Sequence, residues 1–515
     1  MKKFTRPAVF FAAAALLFSC EHLDDFIGDG GTNGDGMEGE NPVSINFTHK
    51  KTFTVGGEGA AEISAFDAAT GRLFTVNVEK DVITVYDISN VDAPMFVADI
   101  ALNGAGAPNS VAVKNGILAV AVEQEVKQDN GYVKFYDTES LQFISASKVG
   151  ALPDMVTFTP DGTYVILANE GEPNDDYTVD PKGTISIVEV ATGACTHLDF
   201  EAFNGAKESL LENGFRVFGP NASLAMDVEP EYVAVSDDGK KAWVSLQENN
   251  GVAVVNLETK TIETILPLGY KDYSLPGNEI DPSDKDDKTE LRSVPVFGTY
   301  HPDAIAYYSV NGMDYIVTAN EGDAREYEGD PGFVEEERIK DIVLDPTAFP
   351  DWENLQADEN LGRLKITLTK GDIDNDGDFD ELYSFGARSF TIWTGTGEMV
   401  YDSGNDIAQK TLELTPDTFN GEDGRSDDKG AEPEAVTVQK IGNKHILFVG
   451  LERNNQVLVY DVSNPAAPEF IQLLETSGDV APEGVLAIAA ADSPTGKDLL
   501  VVSNEVSGTV TIYEN

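Results

Sequence analysis

The sequence predicts an all-β fold, a closed β-propeller, and three observations carry this prediction. Short β-rich runs bounded by Gly, Asn, Asp and Pro dominate the chain after about residue 50, where no long helical pattern is present. One unit built from these runs recurs along the chain. Repeats of about 40–50 residues with about four strands each are typical of propellers, because one unit cannot cover its own apolar face whereas a ring of units can.

The recurring unit has a recognisable beginning. It opens with an acidic or amide residue, usually after proline, and enters an alternating strand; a second strand ends in a Glu-containing turn, and a third often ends in Tyr-Asp. The seven openings lie at residues 57–60, 108–111, 153–156, 230–233, 302–305, 433–436 and 482–485. Seven units favour seven blades, and residues 382–402 leave an eighth, degenerate blade as the alternative.

The two ends of the repeat region predict how the ring closes. A strand at residues 51–55 precedes the first unit, and the last unit ends with a third strand at 509–513. The N-terminal strand is therefore expected to complete the final blade. Longer insertions are expected on loops over one face of the propeller, which is where ligands bind. They lie near residues 204–225, 269–299, 327–359 and 404–430.

Composition narrows the classes of partner. The chain has 515 residues, with 35 Lys and Arg against 90 Asp and Glu, which gives a formal net charge of −55. A phosphate backbone would be repelled, so nucleic acid is excluded as a partner, and so is docking by a basic patch on an anionic membrane. The charge favours cations.

The N-terminus predicts export and a lipid anchor. A basic start is followed by an apolar run at residues 9–18, too short to span a bilayer and flanked like a signal peptide, which we place at 1–19. The run ends in Ser19-Cys20 and resembles a bacterial lipoprotein box, so Cys20 is expected to carry the lipid. Ordinary secretion with an incidental Cys is the alternative.

The residues after Cys20 predict a tether. Residues 20–46 are acidic and rich in Gly, with too few bulky apolar residues to fold alone, and residues 47–515 are expected to form a single propeller domain. Acidic residues directly after the lipidated Cys resemble a surface-export signal of some Gram-negative bacteria. We therefore expect an outer-membrane lipoprotein displayed on the cell surface, with a linker facing the periplasm as the alternative.

The repeat predicts an acidic ring. The innermost strands line the central channel of a propeller, so the opening residues and the second-strand glutamates should meet at one mouth. This central funnel comprises Glu58, Glu79, Glu123, Asp154, Glu170, Glu231, Glu248, Asp303, Glu321, Glu434, Glu452, Glu483 and Glu505. Carboxylates this close must be protonated, paired with Arg or bound to cations. The competing interpretation is that they join neighbouring blades by accepting backbone N–H bonds.

One local motif predicts a calcium loop. Oxygen-bearing side chains at alternate positions, with Gly377 at the tight turn, suit a hard cation with six to eight oxygen ligands. The expected ligands are Asp372, Asp374, Asp376, Asp378 and Asp380. Tyr383 stands where an EF-hand needs Glu, so we expect a short, mainly structural Ca²⁺ loop within the propeller. A solvated turn is the alternative.

Several motifs together resemble a known family. They are LGYKD at 268–272, DPSDKD at 281–286, HPDAIA at 301–306, NEGDAREY at 320–327, SFGARSFTIW at 384–393, YDSG at 401–404 and KGAEPE at 429–434. The chain resembles the choice-of-anchor I family, exported propellers that include the mesenchyme-specific cell surface glycoprotein group. The resemblance implies a propeller body with a variable anchor and no settled activity. Members are sometimes labelled alkaline phosphatase or phytase-like.

Two functions follow as hypotheses. The first is a non-catalytic, calcium-stabilised surface propeller that binds a protein, glycan or phosphoester ligand or serves as a scaffold. The alternative is a calcium-dependent phosphoesterase, in which metal ions bridge a phosphate and activate water. Its candidate residues are Asp303, Glu321, Arg325 and Arg388. The sequence shows no Ser-His-Asp pattern and no cluster among its five His, so it leaves catalysis undecided and favours binding.

Overall fold

The β-rich runs pair into antiparallel sheets in the computed structural model, which describes residues 44–102, 104 and 106–515. The predicted signal peptide, Cys20 and nearly all of the predicted tether lie outside the described residues. Among the described residues, no helix has the length and apolar character needed to cross a membrane.

The elements of the first half of the chain are short strands. In chain order they are β1 (Thr48–Thr54), β2 (Ser64–Asp67), β3 (Arg72–Asn77), β4 (Val82–Asp87), β5 (Met95–Ala101), β6 (Pro108–Lys114), β7 (Ile117–Val122), β8 (Asn130–Asp137), β9 (Phe143–Ala151), β10 (Pro153–Phe158), β11 (Tyr164–Asn169), β12 (Thr184–Glu189), β13 (Cys195–Leu198), α1 (Lys207–Leu211), α2 (Leu224–Asp227), β14 (Pro230–Val235), β15 (Lys241–Leu246), β16 (Gly251–Asn256) and β17 (Thr261–Pro267).

The second half continues the pattern with more insertions. Its elements are β18 (Tyr270–Asp272), β19 (Phe297–Thr299), β20 (Pro302–Val310), β21 (Met313–Asn320), β22 (Glu326–Tyr327), β23 (Phe333–Val334), β24 (Glu336–Arg338), α3 (Trp352–Leu355), β25 (Lys365–Thr367), β26 (Tyr383–Ser384), β27 (Ser389–Thr394), β28 (Met399–Asp402), α4 (Asp406–Leu414), β29 (Pro433–Ile441), β30 (Lys444–Leu451), β31 (Gln456–Asp461), β32 (Glu469–Glu475), β33 (Pro482–Ile488), β34 (Leu499–Asn504) and β35 (Thr509–Glu514). Four 3₁₀ turns lie at Val78–Lys80, Glu201–Ala206, Ile339–Asp341 and Pro416–Thr418.

The described residues form seven four-stranded antiparallel sheets. Their strand orders are β2-β3-β4-β5, β6-β7-β8-β9, β10-β11-β12-β13, β14-β15-β16-β17, β20-β21-β27-β28, β29-β30-β31-β32 and β33-β34-β35-β1. The first strands of neighbouring sheets contact one another in a closed order, from β2 through β6, β10, β14, β20, β29 and β33 back to β2. The chain is therefore a β-propeller, and these first strands surround its axis.

The alternative of a separate blade at residues 382–402 is not what the structure shows. Strands β27 and β28 of this segment are the third and fourth strands of the sheet that begins with β20. A long insertion separates β21 from β27 in the sequence, and this separation makes the outer half of that sheet resemble an independent repeat.

The hydrophobic core lies between the sheets. Each neighbouring pair of sheets buries one apolar cluster, and the cluster between the third and fourth sheets includes Ile166, Ile185, Val233 and Val244. Equivalent clusters fill the other spaces around the ring. No sheet covers its own faces, so the ring is stable only when it closes.

The N-terminal strand closes the ring. Strand β1 pairs antiparallel with β35 and so becomes the outermost strand of the last sheet. Phe47, directly before β1, is 2% exposed, and its ring packs edge-on against Phe448 with 5.1 Å between the ring centroids. The backbone of Phe47 also exchanges two hydrogen bonds with the side-chain amide of Gln472, at 2.8 and 2.9 Å. The first described residues thus bind the last two sheets together.

The insertions form a covering layer with its own core. We call residues 269–299, 326–384 and 404–430 the insertion cap. Within it, Tyr273, Ile280, Leu344, Leu361 and Ile366 are among the residues of a separate buried apolar cluster. The predicted insertion at 204–225 differs, because its apolar residues join the cluster between the third and fourth sheets.

Replacing the ring of Phe47 tests the closure. Phe47→Ala should lower the free energy of unfolding by about 3–5 kcal/mol, because it leaves a cavity between two sheets. Phe143→Ala is the matched control, since Phe143 lies on an outer strand and is 55% exposed. Urea denaturation should show a lower midpoint for Phe47→Ala alone. Equal midpoints for the two variants would show that the N-terminal segment does not hold the ring.

Candidate functional site

The sheets place one polar side chain from each repeat at the propeller axis. In six sheets the pairing of the first strand with the second shifts register directly after an opening proline. The shifts lie between residues 108 and 110, 153 and 156, 230 and 233, 302 and 305, 433 and 436, and 482 and 484. Proline has no N–H to donate, and a bulge re-aims the residues beside it. The residues after these prolines line one central cavity: Asn109, Asp154, Glu231, Asp303, Glu434 and Glu483.

The central cavity, which we call the acidic hub, is strongly negative. It has a volume of about 660 Å³, and its lining includes three basic side chains, Lys127, Lys429 and Arg453. Thirteen carboxyl side chains face it: Glu62, Glu123, Asp154, Glu170, Glu172, Glu231, Asp303, Glu321, Asp323, Glu434, Glu452, Glu483 and Glu505. Ten of the thirteen funnel residues expected from the sequence are among them. Glu248 lines the adjoining cavity described below.

Two expected funnel residues lie elsewhere. Glu58 and Glu79 are exposed and line neither cavity, and Glu79 Oε2 accepts a 2.8 Å hydrogen bond from the Gly57 N–H. Glu62 takes the hub position of the first repeat instead, because the N–H of Glu62 pairs with Val76 at the start of the first strand. This repeat lacks the opening proline, so the sequence pattern aligned four residues too early.

Asparagine side chains accept several backbone N–H bonds near the hub, two of them between neighbouring sheets. Asn169 Oδ1 accepts from the Gly150 N–H at 3.1 Å, Asn249 Oδ1 from Glu229 at 3.1 Å, and Asn455 Oδ1 from Ala481 at 2.9 Å. Asn169 and Asn455 therefore join neighbouring sheets in the way that the competing interpretation gave to the acids. One hub carboxylate also links two sheets, since Glu321 Oε2 accepts a 2.6 Å bond from Gln247 Nε2.

Burial and mutual repulsion perturb the hub carboxyls. Burial, reinforced by Glu248 and Asp303, raises the pKa of Glu231 well above its ordinary range. Burial is also the main cause that raises the pKa of Asp154 and Glu483 to about 7. It raises the pKa of Glu62 to about 8, with Glu483, Glu505 and Asp154 adding to the effect. The hub therefore favours any species that brings positive charge into it.

One side of the hub supplies its own positive charge. Glu321, Glu432 and Glu452 bring carboxylate oxygens within 4.8 Å of one another. Each acid is paired with a basic side chain. Lys429 Nζ lies 2.8 Å from Glu321 Oε1, and Arg453 Nη1 lies 2.7 Å from Glu452 Oε1. Arg425 Nε donates to Glu432 Oε1 at 2.6 Å. We call these three acids the paired triad. Sequence reasoning missed Lys429, which directly precedes the sixth repeat in the KGAEPE motif.

A second cavity joins the hub to the insertion cap. It has a volume of about 380 Å³ and shares Glu172, Asp323 and Lys429 with the hub. Glu248 lines it from the propeller, and Lys365 and other cap residues line its far side. The cap therefore forms part of the wall around the candidate site, as the expected position of the insertions implied.

Arg325 is committed to buried carboxylates. Its side chain is almost wholly buried, and its guanidinium donates to Asp227 Oδ1 at 2.9 Å and to Glu229 Oε2 at 2.8 Å. A further bond of 2.6 Å goes to the backbone carbonyl of Asp227. These partners raise the pKa of Arg325 well above its ordinary value despite burial. The charge that a phosphate would need is already balanced within the protein.

Arg388 is also structural. Its guanidinium donates to the backbone carbonyls of Asp281 at 2.9 Å, Ser426 at 3.0 Å and Asp428 at 2.5 Å. It thereby ties the insertion cap to the propeller, and it lines neither cavity of the hub region. Of the four candidate catalytic residues, Asp303 and Glu321 face the hub, Arg325 borders the second cavity and Arg388 lies apart.

The Asp-rich loop is partly arranged as a cation site. Carboxylate oxygens of Asp372, Asp374 and Asp380 lie within 4.8 Å of one another. Asp372 also accepts the N–H groups of Asp376 and Gly377, at 3.2 and 3.1 Å. Gly377 has φ of +102°, a conformation that favours glycine and allows the tight turn. Asp376 and Asp378, the other expected ligands, do not belong to this triad.

The comparisons with known proteins identify the family. The choice-of-anchor I domain matches residues 62–465, which is most of the chain. The chain belongs to the choice-of-anchor I family. The match covers the first five sheets and most of the sixth, so most of the hub lies within the family domain, whereas Glu483 and Glu505 lie beyond it.

Two curated relatives share part of the sequence. Gigasin-3a of Magallana gigas is 31% identical over 189 residues, covering 31% of this chain and 66% of the relative. The mesenchyme-specific cell surface glycoprotein of Strongylocentrotus purpuratus is 27% identical over 342 residues, covering 58% of this chain and 41% of the relative. This choice-of-anchor I protein thus spans less than two thirds of either relative's length.

Solved structures resemble the chain at lower similarity. Hydrazine synthase of Kuenenia stuttgartiensis superposes with a TM-score of 0.48 and 12% identity, covering 93% of this chain and 99% of that one. The β-propeller domain of Myceliophteria thermophila Cps50 (Swd1) superposes with a TM-score of 0.46 and 7% identity, covering 91% and 100% of the two chains.

The raised pKa of Glu62 predicts a pH dependence of stability. The folded pKa of about 8 exceeds the ordinary value of 4.5, so the group contributes stability at low pH that is lost as pH rises through about 8. Glu62→Gln cannot ionise and should remove this part of the loss. In buffer with EDTA, the urea midpoint between about pH 5 and pH 8 should fall less for Glu62→Gln than for wild type. Glu79→Gln, at an exposed position, should retain the wild-type slope, and a Glu62→Gln slope equal to wild type would contradict the assignment.

Proposed function

We propose that this protein is a surface-displayed binding propeller whose ligand site is the acidic hub and whose ligands carry positive charge. The observation that carries the proposal is the lining of the hub, with thirteen carboxyl side chains against three basic ones around about 660 Å³. Such a site attracts cations or the basic side chains of a partner and repels anions. The positive charges nearest to the hub are already paired with carboxylates.

The same pairing weighs against the phosphoesterase alternative. A phosphate in the hub would need arginine or several metal ions to offset its charge. Arg325 is bonded to Asp227 and Glu229, and Arg388 is bonded to backbone carbonyls. No observation among the described residues favours hydrolysis, so we propose binding as the function.

Two features of the proposal concern the setting of the propeller. The leader and the Ser19-Cys20 box support a lipid anchor in the bacterial outer membrane, with residues 20–46 as the tether. The name of the Strongylocentrotus purpuratus relative, a cell surface glycoprotein, supports a surface location. We also propose that Asp372, Asp374 and Asp380 hold a structural Ca²⁺, because their oxygens converge at a turn suited to that ion.

Binding at the hub is tested with a cationic probe. Tetralysine should bind the purified protein in isothermal titration calorimetry, with an affinity that falls as salt is added. The double variant Asp303→Asn, Glu434→Gln keeps the side-chain shapes but removes two hub charges, and should weaken binding at least tenfold. Glu79→Gln, an exposed acid outside the hub, should bind like wild type.

Two results would contradict hub binding. Equal tetralysine affinity for wild type and the double variant would place the cation elsewhere on the acidic surface. Hydrolysis of p-nitrophenyl phosphate by the calcium-loaded protein, abolished by Asp303→Asn, would favour the enzyme instead.

The anchor is tested separately in bacterial cells. Cys20→Ser should abolish incorporation of labelled palmitate and release the protein from the membrane fraction, because no acyl acceptor remains at the box. Cys195→Ser, at the other cysteine of the chain, should leave both unchanged. In intact cells the wild-type protein should be digested by added protease. Palmitate incorporation by Cys20→Ser would refute the lipid anchor. Protection of the wild-type protein from protease in intact cells would refute the surface display.

A further inference from the structure

A second group of three carboxylates, where the hub meets the second cavity, lacks the counter-charges of the paired triad. Glu170, Glu231 and Glu248 also bring oxygens within 4.8 Å of one another. Among the described residues, no Lys, Arg or His nitrogen lies within 4.0 Å of these carboxylates. We call them the unpaired triad. Each group takes two glutamates from the ends of second strands. The third member is Glu231, directly after an opening proline, in one group and Glu432, directly before an opening proline, in the other. The two groups also differ in charge compensation.

Two oxygens of the unpaired triad are buried without a partner. Glu231 is 8% exposed and Glu248 is 5% exposed, and Oε2 of each accepts no hydrogen bond within the described protein. A buried carboxylate oxygen without a donor or a cation costs free energy comparable to a lost hydrogen bond or more. Native proteins rarely leave two such atoms side by side, which points to a ligand that supplies positive charge at this position.

The neighbouring basic residue cannot take that role. The positive charge of Arg325 partly opposes the raised pKa of Glu248, but the Arg325 guanidinium is bonded to Asp227 and Glu229. Asp154 and Glu172 add further negative charge beside Glu170. The unpaired triad therefore lies beside further carboxylates that add to its negative charge.

The geometry of the unpaired triad suits a hard divalent cation. Calcium–oxygen distances of about 2.3–2.6 Å place oxygens on opposite sides of one ion about 4.6–5.2 Å apart and adjacent oxygens closer. Oxygens confined within 4.8 Å fit this range. Carboxylate oxygens without sulfur or imidazole favour calcium or magnesium over softer metals. The hub and the second cavity meet the triad from two sides and leave room for water ligands.

We propose that Glu170, Glu231 and Glu248 bind one calcium ion at the propeller axis, separate from any ion in the Asp372–Asp380 loop. The inference rests on the proposed function in that both assign cations to the hub. It adds a defined calcium site at the unpaired triad. The paired triad needs no calcium ion, because Lys429, Arg425 and Arg453 already neutralise it.

Calcium stoichiometry tests the site with the full protein. Protein stripped with EDTA is dialysed against calcium chloride, and bound calcium is measured by plasma mass spectrometry. Glu231→Gln and Glu248→Gln are isosteric and should each bind one equivalent fewer than wild type. Glu79 lies exposed in the turn after the second strand of the first repeat, so Glu79→Gln should bind as many ions as wild type. Circular dichroism checks that each variant is folded.

An independent arm separates the two calcium sites. Asp374→Asn should lose the loop ion and keep the hub ion, and its calcium-dependent rise in melting temperature should be reduced but present. If Glu231→Gln and Glu248→Gln bind as much calcium as wild type, the hub site is overturned and the carboxyls must be held by shared protons. If Asp374→Asn keeps wild-type stoichiometry while Glu231→Gln and Glu248→Gln each lose one equivalent, the hub site stands and the loop assignment fails. Tetralysine binding by the calcium-free protein tests the proposed function without involving either ion.

Discussion

Ring closure is the constraint on which the rest of this structure depends. Each four-stranded sheet has two apolar faces and covers neither, so every sheet must be packed between two neighbours. That requirement brings seven first strands to a common axis, and strand β1 supplies the last missing strand. The acidic hub is a consequence of this arrangement, because whatever residue begins each first strand is placed in the same small volume.

Concentrating charge at the axis has a cost that the protein offsets in two ways. Around the paired triad, Lys429, Arg425 and Arg453 supply positive charge from the insertion cap and a neighbouring turn. Around the unpaired triad no basic side chain of the described residues comes within 4.0 Å, and the carboxyls must take up protons or a cation. The asymmetry makes the two groups of carboxylates chemically different sites. The two arginines that could have bound phosphate have other roles: Arg325 balances buried acids, and Arg388 holds the cap.

The sequence predicted the repeat, the closing strand and most of the hub because these features are local patterns. A proline followed by an acid, then an alternating strand, is visible wherever it occurs, and the bulge after each proline makes the acid point to the axis. The pattern failed for Glu58 and Glu79, since the first repeat has no proline and Glu62 takes the position. It also made residues 382–402 resemble an extra repeat, since an insertion interrupts the sheet between β21 and β27.

The sequence by itself determined the all-β class, the excess of negative charge and the residues that open six of the seven repeats, because strand periodicity and turn chemistry are encoded over a few neighbouring residues. Only the tertiary structure decided which acids are paired. Lys429 and Glu321 are 108 residues apart, and Arg325 and Asp227 are 98 apart. Lys429 belongs to the insertion cap, so its contact with Glu321 depends on how the cap folds over the ring. The contact of Arg325 with Asp227 depends on the packing of two neighbouring sheets. Coulombic pairing acts through space over a few ångströms, so no local pattern could reveal which carboxylates would remain without a partner.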